Sequence, residues 1–107
     1  MKEKTLIVLF NLKDGINEKD YENWAKEIDI PIAGSLKSVK DFKLYKAEGI
    51  FGSDALPPYK YIEVLDISDF ESLPADIASE PKMKDVADKF QSLAESPIFL
   101  ITEKFAG

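Results

Sequence analysis

The 107-residue chain contains no cysteine, no histidine and no arginine. Each absence removes a class of chemistry. Without cysteine there is no disulfide, no thiolate nucleophile and no cysteine-ligated zinc. Without histidine there is no globin-type haem ligand, no Ser-His triad and no imidazole acid or base. Without arginine there is no bidentate clamp for carboxylate or phosphate, lysine supplying all 14 positive charges. Any catalysis is left to Asp, Glu, Lys, Tyr, Ser or Thr, to ordered water, or to a reactive substrate.

Long hydrophobic runs are also missing. Leu6–Phe10 is too short for a signal-peptide core and no small-residue cleavage site follows it. No segment approaches the ~20 apolar residues that span a bilayer. A cytoplasmic protein with no membrane partner is expected. The formal net charge of -6 repels phosphate backbones, and no lysine-rich run with interleaved aromatics offsets it, so no nucleic-acid partner is expected. Phosphate-loop, zinc, calcium and dinucleotide signatures are absent; Gly49-Ile50-Phe51-Gly52 has the wrong spacing and precedes no helix. The expectation is a protein with no metal and no cofactor.

Hydrophobic residues make up 45% of the chain and charged residues 32%, the balance of a globular protein. Two independent cores would be too small, so residues 1–107 are read as one domain. Leu6-Ile7-Val8-Leu9-Phe10 is apolar on both parities and reads as a central strand. Asn17 is a good N-cap, followed by the acids Glu18 and Asp20. Tyr21, Trp24, Ala25 and Ile28 then fall at i, i+3, i+4 and i+7, one apolar helical stripe that Pro31 and Gly34 break or restart. Phe42 and Leu44 alternate with Lys43 and Tyr45 in a second strand. Tyr59, Tyr61, Glu63 and Leu65 alternate with Ile62 and Val64 in a third. A helical turn over Asp69–Ala78, interrupted near Pro74, precedes a helix that begins at Pro81 and carries Met83, Val86, Ala87, Phe90 and Leu93. Pro97 opens a last strand, Ile98–Ile101.

The order strand, helix, strand, strand, helix, strand predicts an α+β, ferredoxin-like β-α-β-β-α-β sandwich, with a four-stranded antiparallel sheet and helices on one face. The strands are apolar on the other parity too. A bare apolar sheet face is normally an interface, so two copies are expected to pair sheet to sheet as a homodimer with a barrel-like interior.

Several stretches carry a family resemblance together: Ile7-Val8-Leu9-Phe10-Asn11-Leu12-Lys13-x-Gly15, Tyr21-Glu22-x-Trp24-Ala25, Asp29-x-Pro31, Gly49-x-x-Gly52-Ser53, and Pro58-Tyr59-x-Tyr61-Ile62-Glu63-Val64. The set, spread over nearly the whole chain, resembles the REDY-like (HapK) family. That resemblance implies a dimeric α+β barrel linked to prodiginine pigment biosynthesis, that is, to secondary metabolism.

Glu63 is the outstanding charge, because a carboxylate in a central strand must be paired, solvated in a cavity, or protonated. As a catalytic base it would take a proton from a phenol or pyrrole-like substrate, its own pKa being raised by desolvation; otherwise it pairs with a lysine such as Lys43. Asp29 falls near the end of the first helix, where its charge opposes the dipole, so it either serves the site or caps a short turn starting at Ile30-Pro31. Trp24 is core or, through its indole N–H, a ligand contact. Tyr45 and Tyr61 either pack or present hydroxyls to one cavity. Asn11 either joins them or bonds the following turn. The loop Glu48–Pro58 carries Ile50, Phe51 and Leu56, to close over a pocket or to cross to a partner. Two functions follow. One is a small cofactor-independent enzyme or accessory factor acting on an aromatic or heteroaromatic small molecule between helices and sheet. The other is a non-catalytic metabolite-binding or stress-responsive barrel.

Overall fold

Nine residues, Lys4–Leu12, form strand β1 at the centre of the sheet in the computed structural model, which describes residues 2–107. The remaining strands are β2 (Val39–Lys46), β3 (Tyr61–Ile67) and β4 (Ala94–Thr102). They form one antiparallel sheet in the order β2-β3-β1-β4. Both inner strands carry apolar residues on both parities, as burial from two sides requires, and so does the edge strand β4 with Ile98 and Leu100 against Phe99 and Ile101. Helix α1 (Glu18–Trp24) starts at Asn17, whose side-chain oxygen accepts from the Asp20 N–H at 3.1 Å. A π-helical turn, Ala25–Asp29, joins it without a break to α2 (Ile30–Ala33). After β3 come a 3₁₀ turn (Phe70–Ser72), α3 (Leu73–Ser79) and α4 (Lys82–Leu93). The ferredoxin-like α+β reading therefore holds.

Local details correct the sequence reading. Pro74 is the second residue of α3 and does not interrupt it, its missing N–H being harmless in the first turn. Strand β4 starts at Ala94, ahead of Pro97. Its register slips opposite Leu9–Asn11, where Ser96 adopts a positive φ of 44°, so Ser96 and Pro97 form a bulge within the strand.

Val8 and Phe10 face the helices, and Tyr61, Glu63, Phe42 and Leu44 share their side by register. Two apolar clusters fill this layer. One is built on Phe10, with Tyr21, Tyr61 and Phe90 packed around its ring at centroid distances of 5.6, 5.6 and 4.9 Å. The other joins Ala33, Leu36, Val39, Phe42, Met83 and Val86. The opposite face carries Ile7, Leu9, Ile62, Val64, Ile98 and Leu100, with the last two clearly exposed and no helix over them. Among the described residues, no helix is long and apolar enough to cross a membrane.

Candidate acid–base site between helices and sheet

The helical stripe read from sequence places Ile28 inside and leaves Asp29 outside. The fold does the reverse: Ile28 is 41% exposed and Asp29 only 5%. The π turn is the cause. An α-helix advances about 100° per residue, so Asp29, eight residues beyond Tyr21, would lie about 80° off the Tyr21 face. A π turn bonds i to i+5, as the Ile30 N–H does to the Ala25 carbonyl, and so accommodates one extra residue. The eight steps then act as seven, and Asp29 lands about 20° from Tyr21. Tyr21, Ala25, Asp29 and Ala33 are accordingly all buried. Pro31 favours the irregularity, since its ring nitrogen offers no N–H to the Glu27 carbonyl and its ring would crowd that carbonyl in a regular helix. The capping role considered for Asp29 is not realised: its backbone is helical and its side chain caps nothing.

Glu63 arrives from the sheet. It lies opposite Val8 on one side and Leu44 on the other, on the inner face, and is 6% exposed. Lys43 cannot reach it, because Lys43 sits opposite Val64 on the other face and pairs with Asp41 at 2.8 Å. Among the described residues Glu63 has no cation partner, and its Oε2 is sealed from solvent without a hydrogen bond. Burial therefore pushes Glu63 up from 4.5 to about 8, with the like charge of Asp29 adding to it. Burial alone pushes Asp29 up from 3.8 to about 6. The two acids line one cavity of about 180 Å³, whose other walls are mostly apolar side chains from both core clusters together with Leu6, Leu65 and Phe99, with Gln91 the one further polar residue. The sheet thus delivers one carboxyl group and the π turn the other.

The remaining candidates go elsewhere. Tyr61 points inward, yet its hydroxyl leaves the cavity and donates to Glu22 Oε2 at 2.7 Å; Glu22 in turn pairs with Lys46 at 2.8 Å. Those two partners hold Glu22 below the usual carboxylate range. Tyr45 lies opposite Ile62, so it does not share the parity of Tyr61, yet from the edge strand it borders the same groove as Tyr61, with Glu22, Lys26 and Lys46, away from the two acids. Asn11 is engaged at both ends, donating to the Pro58 carbonyl at 3.0 Å and accepting from the Lys60 N–H at 2.8 Å, which pins the long loop to β1. Trp24 packs against both core clusters and is no wall of the cavity. Phe51 and Leu56 stand exposed and close over no pocket within the protomer. Sequence reasoning passed over Tyr21, placing it in the apolar stripe. Its signal was the hydroxyl itself, since a fully buried tyrosine normally finds a partner and this one has none.

Among the described residues, no three acidic side chains converge as metal ligands do. With this geometry in place, comparison with known families matches residues 4–105 to the one described as REDY-like protein HapK. The chain belongs to this REDY-like HapK family. Comparison with curated proteins gives no match. Among solved structures, HapK from Hahella chejuensis is 24% identical, with 97% of this chain and 95% of that one covered and a TM-score of 0.72. A dimeric ferredoxin-like protein of unknown function from Thermobifida fusca shares 13% identity over 96% and 92% of the two chains, at a TM-score of 0.74. SnoaB, a cofactor-independent oxygenase from Streptomyces nogalater, shares 11% identity over 100% and 97%, at 0.76. All three likenesses describe the scaffold, on which unrelated chemistries are hosted by different side chains.

Proposed function

We propose that this REDY-like protein is a small acid–base enzyme, or enzyme-like accessory factor, that handles a compact aromatic or heteroaromatic metabolite between its helices and sheet without a cofactor. The observation that carries this reading is the pair Glu63 and Asp29, two acids without a cation in one apolar cavity. Burying such groups costs stability, and acids displaced to about 8 and about 6 straddle neutral pH. The pair therefore holds one proton near pH 7. Asp29 is then the acceptor and Glu63 the donor, which reverses the role expected of Glu63 from its strand position alone. A cavity of about 180 Å³ is slightly larger than the ~150 Å³ that accepts benzene, so it suits one ring or a small fused system.

Family membership supports a place in secondary, prodiginine-like pigment metabolism, and the SnoaB likeness supports cofactor-free chemistry on this scaffold. The working unit is a homodimer joined through the open sheet faces, with Phe51 and Leu56 reaching the partner. The bare face with Ile98 and Leu100 supports this, as does the dimeric description of the Thermobifida protein. The site is tested by mass spectrometry of small molecules carried through purification by the wild-type protein and by Asp29→Asn and Glu63→Gln. Retention of an aromatic metabolite by wild type, reduced in both folded variants, is the expected result. A wild-type protein that carries and binds no small aromatic, or variants that retain it equally, would refute the reading.

A further inference from the structure

The cavity that holds Glu63 and Asp29 is closed at one end and open at the other. Its exposed wall residues are Ile77, Ala87, Gln91 and Phe99, and all four come from α3, α4 or β4. Both acids are buried, as are the walls supplied by α2 and β2 at the other flank of the sheet. Register gives the depth. Glu63, Val8 and Phe99 form one row across β3, β1 and β4. Two strand spacings of ~4.8 Å put the backbone of the acid about 10 Å in from the mouth. Phe90 and Phe99, edge to face at a centroid distance of 6.1 Å, supply apolar surface on the way. Among the exposed wall residues Gln91 is the one with a polar side chain. It lies one turn beyond Ala87 on α4, beside the buried Phe90. The outward residues Lys84, Asp85, Asp88 and Lys89 of this helix are charged, and Gln91 is not. Its amide makes no hydrogen bond among the described residues. An amide donates and accepts at once, and it adds no charge that would favour ionising either acid.

We propose that Gln91 is a specificity-determining residue of this site, and that the metabolite is a single aromatic ring bearing a hydrogen-bonding group at each end. The inner group meets Glu63 and Asp29, and the outer one meets the Gln91 amide at the mouth. This rests on the acid–base function proposed above and names its substrate class. Between the two polar ends the walls are apolar, so a polar substituent midway along the ring would lose its water and find no partner. A ring with one polar group alone leaves nothing for Gln91 to bind. With a group at each end, Gln91 fixes how far the ring enters and keeps its polar axis along the cavity, which holds the inner group against the acids. The discrimination is modest, because Gln91 is exposed and exchanges this contact with water.

The probes are 4-(hydroxymethyl)phenol and 4-ethylphenol, which share one shape and differ by a hydroxyl in place of a methyl. Each is titrated by calorimetry into the full-length wild type and into Gln91→Met, which keeps the length of the side chain and removes the amide. Lys89→Met, a change on the same helix away from the cavity, is the control. The quantity read is the ratio of the two affinities, in which the hydrophobicity of the probes cancels between proteins. Gln91→Met should lower the preference for the alcohol about three- to tenfold, as loss of one net hydrogen bond does. Its melting temperature should not change, because the position is exposed. Lys89→Met should leave the ratio as in wild type. Both probes binding with the same ratio in wild type and Gln91→Met would overturn the role of Gln91 and leave the Glu63–Asp29 site standing. An equal shift in Lys89→Met would overturn it too. A wild-type protein that binds neither probe would overturn the acid–base cavity itself, and this proposal with it.

Discussion

Glu63→Gln keeps the shape of the side chain and removes its charge, and the consequence can be worked from burial. In the folded protein the group titrates at about 8 instead of 4.5. Between those values the folded state holds a proton that the unfolded chain has released, so stability falls as pH rises through this window. The drop is complete above about 8, where both states are ionised, and absent below about 4.5, where both are protonated. Over the whole window it amounts to roughly 5 kcal/mol at ~1.36 kcal/mol per pH unit, a large part of the ~5–15 kcal/mol typical of a domain. Asp29 produces a smaller fall of the same sign between 3.8 and about 6. The decisive interval is therefore pH 6 to 8, where Glu63 supplies most of the fall and should lower stability by roughly 2 kcal/mol. No histidine titrates there to obscure it. Urea unfolding at fixed protein concentration, followed by fluorescence of the single tryptophan, Trp24, reads the effect. Wild type should lose stability across this interval and Glu63→Gln should stay nearly level. Parallel curves for the two proteins would refute the claim that Glu63 is buried without a compensating cation.

Two further outcomes are expected. Ile62→Lys puts a charge in the middle of the open sheet face. Under the proposed sheet-to-sheet pairing, light scattering should show a dimer for wild type and the 12.0 kDa monomer for the variant; a monomeric wild type would refute the pairing, and a variant that stays dimeric would place the interface elsewhere. Asn11→Ala removes both bonds that tie the long loop to β1, costing about 1–3 kcal/mol, and hydrogen exchange at the Lys60 amide should accelerate by at least tenfold with the Glu63 titration unaltered.

The sequence by itself determined the architecture. Period-two alternation in Phe42–Tyr45 and Tyr61–Leu65 and period-3.6 repetition in Met83–Leu93 are local consequences of which face is buried, so strand parity and the main helix were legible without coordinates. It also singled out Glu63, because a charge on the inner parity of a central strand conflicts with its surroundings, and such conflicts gather at functional sites. Asp29 was legible only as an oddity. The α-helical repeat assigns its buried place to Ile28; Pro31 signals a helix irregularity, but nothing in Trp24–Pro31 says that it takes the form of one extra residue in the turn. The same holds for Tyr21, whose ring fits any apolar stripe and whose hydroxyl becomes meaningful only once the surrounding atoms are seen to leave it unpaired. Tyr45 and Tyr61 looked equivalent from alternation within each strand, but register between strands placed them on opposite faces. Hydrophobic period is written in neighbouring residues, whereas partners, register and helix irregularity are settled by contacts across the chain, and it was those contacts that brought the two acids to one cavity.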